Sequence, residues 1–275
     1  MIDYSEYGDS DGELVIYFHG SPGTVNELDW FKDRVSSYNV RIVCFERYTV
    51  ALDSSAKEYY QTLATEIDRV AQGKCIHLIG FSIGAFIATK VVPFVTAPIQ
   101  NVHLVSPAVP LSLGDFLPQM AGQQVFAMAR DKPKLFSLLS YVQSFIVRLS
   151  PKLMFKMVFA DVKGKDKLLV EDRLFKKVIL NAFKGTFIDQ LEGYMRDISE
   201  YVNTEHFFLL QIGIDVHLWH GGKDNWSPVE MSQSLAKLLN QEKRLTVLPD
   251  CSHYSCLLES LPNIFEQLTN SSELN

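Results

Sequence analysis

The sequence lacks the motifs that would indicate a metal, a disulfide framework or a bound cofactor. Its four cysteines have neither the spacing of metal ligands nor that of a redox pair: Cys44, Cys75, Cys251 and Cys256. The chain contains no glycine-rich phosphate loop and no dinucleotide-binding fingerprint. We therefore expect no metal site, no cofactor and no structural disulfide.

Long apolar runs and an excess of positive charge are also missing. No apolar stretch approaches the roughly 20 residues that a membrane span requires. Residues 1–6 lack the basic and apolar regions of a signal peptide. The net charge of −6 argues against general nucleic-acid binding, because such binding depends on positive charge. We expect a cytoplasmic protein with no transmembrane segment and no nucleic-acid partner.

Short apolar and β-branched runs predict six strands. They lie at residues 13–19, 40–45, 76–81, 101–106, 214–220 and 243–249. Most are apolar over several residues rather than alternating, which is typical of a sheet buried on both faces. Helical patterns separate the runs, most clearly at 55–72 and at about 254–269. The alternation predicts an α/β fold whose mainly parallel sheet is flanked by helices.

The ends of the chain add little to this pattern. Before residue 13 there is room for at most one further strand. The polar residues 270–275 are predicted to fray at the end of the last helix.

The segment 111–208 contains no convincing strand and is rich in Phe, Leu and Met at helical spacing. A structureless loop of that length would be implausible in a compact domain. The segment therefore predicts a helical insertion, and residues 1–110 and 209–275 form the core. Within it, residues 130–177 contain twelve Lys or Arg and five Asp or Glu. These charges indicate either solvated helix faces or a docking surface for an anionic carrier, an anionic lipid surface or an acidic substrate, which reversal of Lys163, Lys165 and Lys167 to glutamate would test.

The segment 80–84, Gly-Phe-Ser-Ile-Gly, stands between a predicted strand and a helix-like run. A serine on such a tight turn adopts an unfavourable backbone conformation, and its neighbours two positions away must be small. The turn exposes the hydroxyl at the carboxyl edge of a sheet, above a helix N-terminus. Ser82 is therefore a candidate nucleophile, although a tight turn with a capping serine would have the same composition.

The segment 19–23, His-Gly-Ser-Pro-Gly, follows the strand predicted at 13–19. Acyl transfer needs hydrogen-bond donors directed at the oxyanion, and backbone amides of a glycine-rich loop can supply them. We predict the amides of Ser21 and Ile83 as these donors. A simple Gly/Pro turn is the alternative interpretation of the loop.

An aspartate and a histidine follow the last two predicted strands. Asp224 lies in Gly-Gly-Lys-Asp after 214–220, and His253 lies in Cys-Ser-His-Tyr after 243–249. Together with Ser82, the chain order is serine, aspartate, histidine. His220 is a weaker rival to His253, because it is only four residues before Asp224 on the same turn.

These four motifs resemble those of the α/β-hydrolase fold family, over nearly the whole chain. The resemblance implies a Ser-Asp-His triad and a helical lid between the sixth and seventh strands, which corresponds to 111–208. It assigns Ser82 as the nucleophile, His253 as the general base and Asp224 as the residue that orients His253. Members of the family can instead carry the acid where Asp115 lies.

The chain departs from this family in one loop near the expected pocket. Residues 45–54 lack the two glycines that many relatives carry after the corresponding strand. We expect a differently shaped loop there, so the substrates of close relatives are a poor guide.

The resemblance implies a serine hydrolase that cleaves a carboxylic ester or related small-molecule acyl substrate through an acyl-enzyme. Two alternatives share the fold: an aminopeptidase similar to proline iminopeptidase, and a carbon–carbon bond hydrolase. The former would need acidic lid residues to hold a substrate amine, and this lid is basic. A third alternative is a non-catalytic protein that uses the pocket for ligand binding.

Overall fold

The computed structural model describes residues 1–272 and contains a seven-stranded sheet. Its strands are β1 (Tyr4–Gly8), β2 (Glu13–Phe18), β3 (Val40–Phe45), β4 (Ile76–Phe81), β5 (Ile99–Val105), β6 (Val216–Gly221) and β7 (Leu245–Leu248). Their spatial order is β1-β3-β2-β4-β5-β6-β7. All neighbouring pairs are parallel except β1 and β3. The predicted mainly parallel sheet is confirmed, and β1 is an antiparallel edge strand before residue 13.

The helices alternate with the strands along the chain. The α-helices are α1 (Lys32–Val35), α2 (Ala56–Ala71), α3 (Ile83–Val91), α4 (Gln123–Asp131), α5 (Pro133–Leu149), α6 (Pro151–Val158), α7 (Asp166–Leu169), α8 (Arg173–Lys184), α9 (Leu191–Asn203), α10 (Val229–Leu238) and α11 (His253–Ser272). Shorter 3-10 turns include Glu27–Trp30, Arg47–Thr49 and His206–Gln211, and a π-helical turn spans Gly185–Asp189. Helix α11 continues to Ser272 and so includes the first three residues of the segment 270–275 that was predicted to fray, whereas residues 273–275 lie outside the described range.

The central strand β4 explains why the sheet needs helices on both faces. Every residue of β4 is buried, in agreement with its uninterrupted apolar sequence. Helix α3 packs on β4, and α10 and α11 both contact β6. The carboxyl ends of the parallel strands lie along one edge of the sheet. The loops that follow β2, β4, β6 and β7 therefore meet there, and these are the loops that carry the four motifs.

The chain between β5 and β6 forms a separate group of helices, α4 to α9. In the numbering of this sheet the group follows the fifth strand, whereas the family's numbering places the lid after the sixth. Several of its buried side chains, such as Phe136, Phe175 and Tyr201, belong to the same apolar cluster as the sheet. The group is therefore packed against the core along much of its length. Of the helices within residues 1–272, none is both long and apolar enough to cross a bilayer.

Candidate active site

Ser82 lies on a strained turn between β4 and α3. Its backbone has φ 55° and ψ −125°, a conformation that non-glycine residues rarely adopt. The two flanking glycines are sterically required. A Cβ at Gly80 would lie 2.5 Å from Ala85 Cα, and one at Gly84 would lie 2.1 Å from the Phe18 carbonyl oxygen. The local sequence thus permits the turn that presents Ser82 at the edge of the sheet.

His253 and Asp224 form a buried hydrogen-bonded pair beside this turn. His253 Nδ1 lies 2.7 Å from Asp224 Oδ2, and the other carboxylate oxygen accepts the backbone amides of Trp226 and Ser227 at 2.8 and 3.0 Å. Burial by itself lowers the pKa of His253, but the Asp224 carboxylate raises it, and the net shift is upward from 6.5. Burial raises the pKa of Asp224, but the charge and hydrogen bond of His253 together with His220 and the Ser227 amide lower it, and the net shift is downward.

The histidine ring lies against the residue that precedes the serine. The ring centroids of Phe81 and His253 are 4.8 Å apart. The Trp226 ring also stacks on the His253 ring, with centroids 5.7 Å apart. Within residues 1–272, neither Ser82 Oγ nor His253 Nε2 has a protein hydrogen-bonding partner. Serine–histidine hydrogen bonds are often long in ligand-free sites and tighten when substrate binds.

The two rival residues have different surroundings. His220 is fully buried, and its ring nitrogens lie 2.7 Å from Ser232 Oγ and 2.7 Å from the Ser227 carbonyl oxygen. Its Nε2 lies 3.6 Å from Asp224 Oδ2, so His220 packs beside the carboxylate of the proposed acid. Burial lowers the pKa of His220, which favours the neutral ring. Asp115 is exposed and, in the described part of the chain, has no ion pair with any histidine.

Ser21 and Ile83, whose backbone amides are predicted from the sequence as oxyanion donors, lie on the same side of the site as Ser82. Neither N–H donates a hydrogen bond to another group in the described chain, and both residues line the cavity that contains Ser82. Ile83 is the first residue of α3, where amides are unpaired because no preceding turn supplies acceptors. The two amides are therefore available to a ligand at Ser82.

Glu27 supports the loop that carries Ser21 from one side. Its buried carboxylate accepts the Tyr17 hydroxyl at 2.6 Å and the Gly20 amide at 3.0 Å. His19 braces the same loop, with Nδ1 2.8 Å from the Gly20 carbonyl oxygen. Burial raises the pKa of Glu27 to about 7, although the Tyr17 and Gly20 donors act in the opposite direction.

Arg47 supports the loop from the other side. Its guanidinium donates to the carbonyl oxygens of His19 and Gly20 at 2.9 and 3.2 Å, and to Ser21 Oγ at 3.0 Å. It forms a fully buried ion pair with Asp197 of α9, with Nε 2.7 Å from Oδ2. The departure noted in the sequence thus has a structural role, because the 45–54 loop supplies an arginine to the Ser21 loop.

The helical insertion contacts the site at two further points. Asp166 of α7 accepts the backbone amides of Tyr254 and Ser255 at 3.1 and 2.7 Å, at the N-terminus of the helix that begins with His253. Thr186 Oγ1 exchanges hydrogen bonds with the backbone of Gly23, at 3.0 and 3.1 Å.

Sequence reasoning missed Glu27, Arg47, Asp166 and Asp197. Only Arg47 had a local signal, since it is a charged residue two positions after the end of the apolar strand β3.

The cavity at Ser82 is small, uncharged and mainly apolar. It has a volume of about 190 Å³ and is roofed by side chains of the insertion, including Val125, Met157 and Phe187. Among residues 1–272, the lining contains no Asp, Glu, Lys, Arg or His, so His253 and Asp224 lie outside it. A larger space of about 470 Å³ between α5 and α9 contains none of the predicted site residues. We therefore assign the candidate site to the smaller cavity, where the predicted serine and amides converge.

No metal site is evident. Among residues 1–272, no group of three or more His, Cys, Asp or Glu could hold a metal ion. The cysteines are unpaired, and the pKa of Cys256 is raised by burial rather than lowered as a metal-binding or reactive thiol would require.

Comparison with known proteins places the chain in a family. A family model described as the alpha/beta hydrolase fold matches residues 13–260. No curated protein matches the chain.

Solved structures of the same fold are similar over almost the entire chain. An esterase from Exiguobacterium antarcticum is 19% identical with a TM-score of 0.62, and the match covers 99% of this chain and 95% of that one. A bromoperoxidase from Bacillus anthracis is 13% identical with a TM-score of 0.68, covering 97% and 94%. A carboxylesterase structure from Nitrososphaera gargenis is 14% identical with a TM-score of 0.64, covering 99% and 94%. The similarity concerns the fold, and with the family match it establishes that this chain belongs to the α/β-hydrolase fold family.

Proposed function

We propose that this protein is a serine hydrolase that cleaves an uncharged carboxylic ester or a related acyl substrate. The observation that carries the proposal is the buried hydrogen bond between His253 Nδ1 and Asp224 Oδ2, 2.7 Å long, beside the strained turn of Ser82. A histidine held by a carboxylate in one tautomer is suited to accept a proton from a nearby hydroxyl.

In the proposed reaction, Ser82 Oγ attacks the carbonyl carbon of the substrate while His253 Nε2 accepts the hydroxyl proton. The amides of Ser21 and Ile83 stabilise the oxyanion, because they are unpaired and line the same cavity. The proton then passes from His253 to the leaving alcohol, which leaves an acyl-enzyme. His253 next deprotonates a water molecule, whose attack releases the acid and restores Ser82.

The composition of the cavity favours an ester over the substrate of an aminopeptidase. An aminopeptidase must hold a substrate ammonium group, and the Ser82 cavity has no Asp or Glu in its lining. Its apolar wall of Val125, Phe126 and Phe187 fits an acyl chain better. A carbon–carbon bond hydrolase would use the same three residues, so only substrate tests can separate it from an esterase.

Labelling with a fluorophosphonate probe tests the proposal directly. The wild-type protein should react with the probe and hydrolyse p-nitrophenyl esters, and Ser82→Ala should lose both reactions while keeping its fold. We expect ester turnover to fall by at least about 1000-fold. Ser112→Ala, at an exposed serine of the insertion, serves as the control. A wild-type protein that stays unlabelled would instead indicate a non-catalytic binding protein.

The choice between ester, amide and carbon–carbon bond hydrolysis needs a substrate panel. We would compare p-nitrophenyl esters of increasing chain length with aminoacyl anilides and with diketone substrates. The uncharged cavity predicts that the neutral esters have the highest kcat/KM. Preference for an anilide with a free amine would contradict the proposed substrate class.

A further inference from the structure

Helix α5 buries two serines beside Phe136 and Val147, and it exposes several large apolar side chains. Ser140 and Ser144 face the interior, whereas Leu138, Phe145 and Leu149 are 59%, 60% and 70% exposed. A surface helix in water normally has the opposite arrangement, because the hydrophobic effect directs its apolar side chains to the core. The outer side of α5 therefore matches an apolar environment better than it matches water.

The exposed apolar side chains continue from α5 onto α6. They recur at three- and four-residue spacing, so they lie on one side of each helix. We call this surface the α5–α6 face, and its main members are Leu138, Val142, Phe145, Leu149, Leu153 and Met157.

The charged residues within the segment that forms the α5–α6 face are all basic, while the acidic Asp189, Glu192 and Glu171 line adjoining grooves. Residues 132–160 contain five basic residues and no acidic residue. These are Lys132, Lys134, Arg148, Lys152 and Lys156. In the described chain none of the five forms an ion pair. Their positive charges are therefore not held in ion pairs and are available to an anionic surface.

Farther along the basic stretch, two of the three lysines at positions 163, 165 and 167 form ion pairs. Lys163 is paired with Asp161, and Lys165 is paired with Glu259 of α11. These partners neutralise two of the three charges, whereas the five basic residues of 132–160 have no carboxylate within ion-pair distance in the described chain.

The cavity that contains Ser82 opens toward the same face. Met157 lines this cavity and is nevertheless 55% exposed, so its side chain lies at the boundary between cavity and surface. An adjoining groove of about 410 Å³ between α4, α5 and α6 shares Val125, Gln143 and Met157 with the cavity wall. An acyl chain that lies along the α5–α6 face would thus reach the cavity past Met157.

We propose that the α5–α6 face docks on an anionic lipid surface. Its apolar side chains would enter the boundary between headgroups and acyl chains, and its unpaired lysines and arginine would contact the anionic headgroups. We further infer, on the basis of the proposed function, that the ester substrate passes from the lipid surface into the Ser82 cavity. The exposed apolar side chains, the unpaired basic residues of 132–160 and the cavity opening all belong to the same two helices and their ends.

Vesicle co-sedimentation of full-length Ser82→Ala tests the docking without interference from hydrolysis. We expect binding to equimolar phosphatidylglycerol and phosphatidylcholine vesicles, weaker binding at high salt, and little binding to phosphatidylcholine alone. In that background, Phe145→Ser with Leu149→Ser should weaken binding by about tenfold or more. Lys152→Glu with Lys156→Glu should have a comparable effect.

Two matched controls lie elsewhere on the surface. Phe207 and Leu210 are 63% and 60% exposed on the turn before β6, and their change to serine should leave vesicle binding unchanged. Reversal of the exposed Lys237 and Lys243 to glutamate should also have little effect, because they lie outside the α5–α6 face. Thermal unfolding of each variant separates loss of binding from loss of fold.

Several outcomes would overturn the docking proposal. One is the failure of Ser82→Ala to sediment with anionic vesicles, and another is an equal loss of binding in the controls and the face variants. A concentration-dependent dimer that Phe145→Ser with Leu149→Ser abolishes would show that a second copy covers the face instead.

Activity measurements then separate this inference from the proposed function. In the wild-type background, Phe145→Ser with Leu149→Ser should slow hydrolysis of a vesicle-borne ester and leave that of soluble p-nitrophenyl butyrate unchanged. Equal rates on the vesicle-borne ester would contradict substrate transfer from the surface. Vesicle binding by a protein that hydrolyses no ester would reject the proposed function alone.

Discussion

Arg47 and Asp197 form a fully buried ion pair that joins the core of the molecule to the helical insertion. Arg47 follows β3, Asp197 lies on α9, and their side chains meet at 2.7 Å directly behind the loop that carries Ser21. Tyr59 and Arg196 add hydrogen bonds to Asp197 Oδ1, at 3.0 and 3.3 Å. The insertion is thus more than a cover over the cavity, because one of its carboxylates holds the arginine that positions the proposed oxyanion loop.

Removal of one partner of this pair should be costly. Asp197→Ala leaves the Arg47 guanidinium buried without its counter-charge, so we expect the free energy of unfolding to fall by about 3 to 5 kcal/mol. Ester hydrolysis should also slow, because the Ser21 loop loses its support. Arg47→Met with Asp197→Leu removes both fully buried charges, and Arg196 keeps its hydrogen bonds to the carbonyl oxygens of residues 47 and 50. The double variant should therefore cost less stability than Asp197→Ala alone.

Denaturant unfolding measures this effect, and an ion pair at the sheet edge provides the control. Glu6 and Arg41 pair at 2.8 Å, but both side chains are partly exposed. Glu6→Ala should therefore cost less than about 1 kcal/mol. If Asp197→Ala lowered the free energy of unfolding by no more than Glu6→Ala does, the structural importance of the buried pair would be refuted.

The acid of the proposed triad can be identified by comparing two aspartates. Asp224→Asn should lower kcat by about 10³- to 10⁴-fold, because the amide would favour the wrong tautomer of His253. Asp115→Asn should change kcat little, since Asp115 is exposed and has no contact with His253 among the described residues. Steady-state kinetics on p-nitrophenyl butyrate distinguish the two, and a larger loss for Asp115→Asn would show that the acid is misassigned.

The rate should increase with pH as His253 loses its proton. The base must be neutral to act, and the Asp224 carboxylate raises the pKa of His253 above 6.5 in spite of burial. The profile of kcat/KM should therefore rise with a midpoint above 6.5 and then level off. Asp224→Asn removes the negative charge, so the midpoint of its residual activity should move to lower pH. An unchanged midpoint would argue against electrostatic coupling of the pair.

Glu27 should make stability depend on pH. Burial raises the pKa of Glu27 to about 7 in the folded protein, from an ordinary value of 4.5. Between these values the folded state holds a proton that the unfolded state has lost, so the contribution of Glu27 to stability is greatest below pH 4.5 and declines as pH rises to about 7. The shift corresponds to about 3 kcal/mol.

Comparison with Glu27→Gln isolates this contribution from other titrating groups. Glutamine stays neutral, so the stability of the wild type relative to Glu27→Gln should decline by that amount between pH 4.5 and 7. Glu242→Gln, at an exposed glutamate, should show no such trend. A constant difference between wild type and Glu27→Gln across this range would mean that Glu27 ionises normally.

The sequence by itself determined the sheet and the positions of the motifs, because their requirements are local. Parallel strands buried on both faces need uninterrupted apolar runs, and β4 has one. A serine at φ 55° needs small neighbours, and Gly80 and Gly84 occupy the two places where a Cβ would collide with backbone. Such constraints act within a few residues and can be seen in a single sequence.

Only the tertiary structure decided which distant groups meet and which helix faces turn outward. Arg47 and Asp197 are 150 positions apart, and nothing local to either residue indicates its partner. The helical spacing in α5 predicts an apolar stripe, but spacing alone does not determine which side packs inward. The packing of α5 against its neighbours placed Ser140 inside and Phe145 outside. Long-range pairing and helix rotation depend on the whole set of packed surfaces, and no local pattern contains that information.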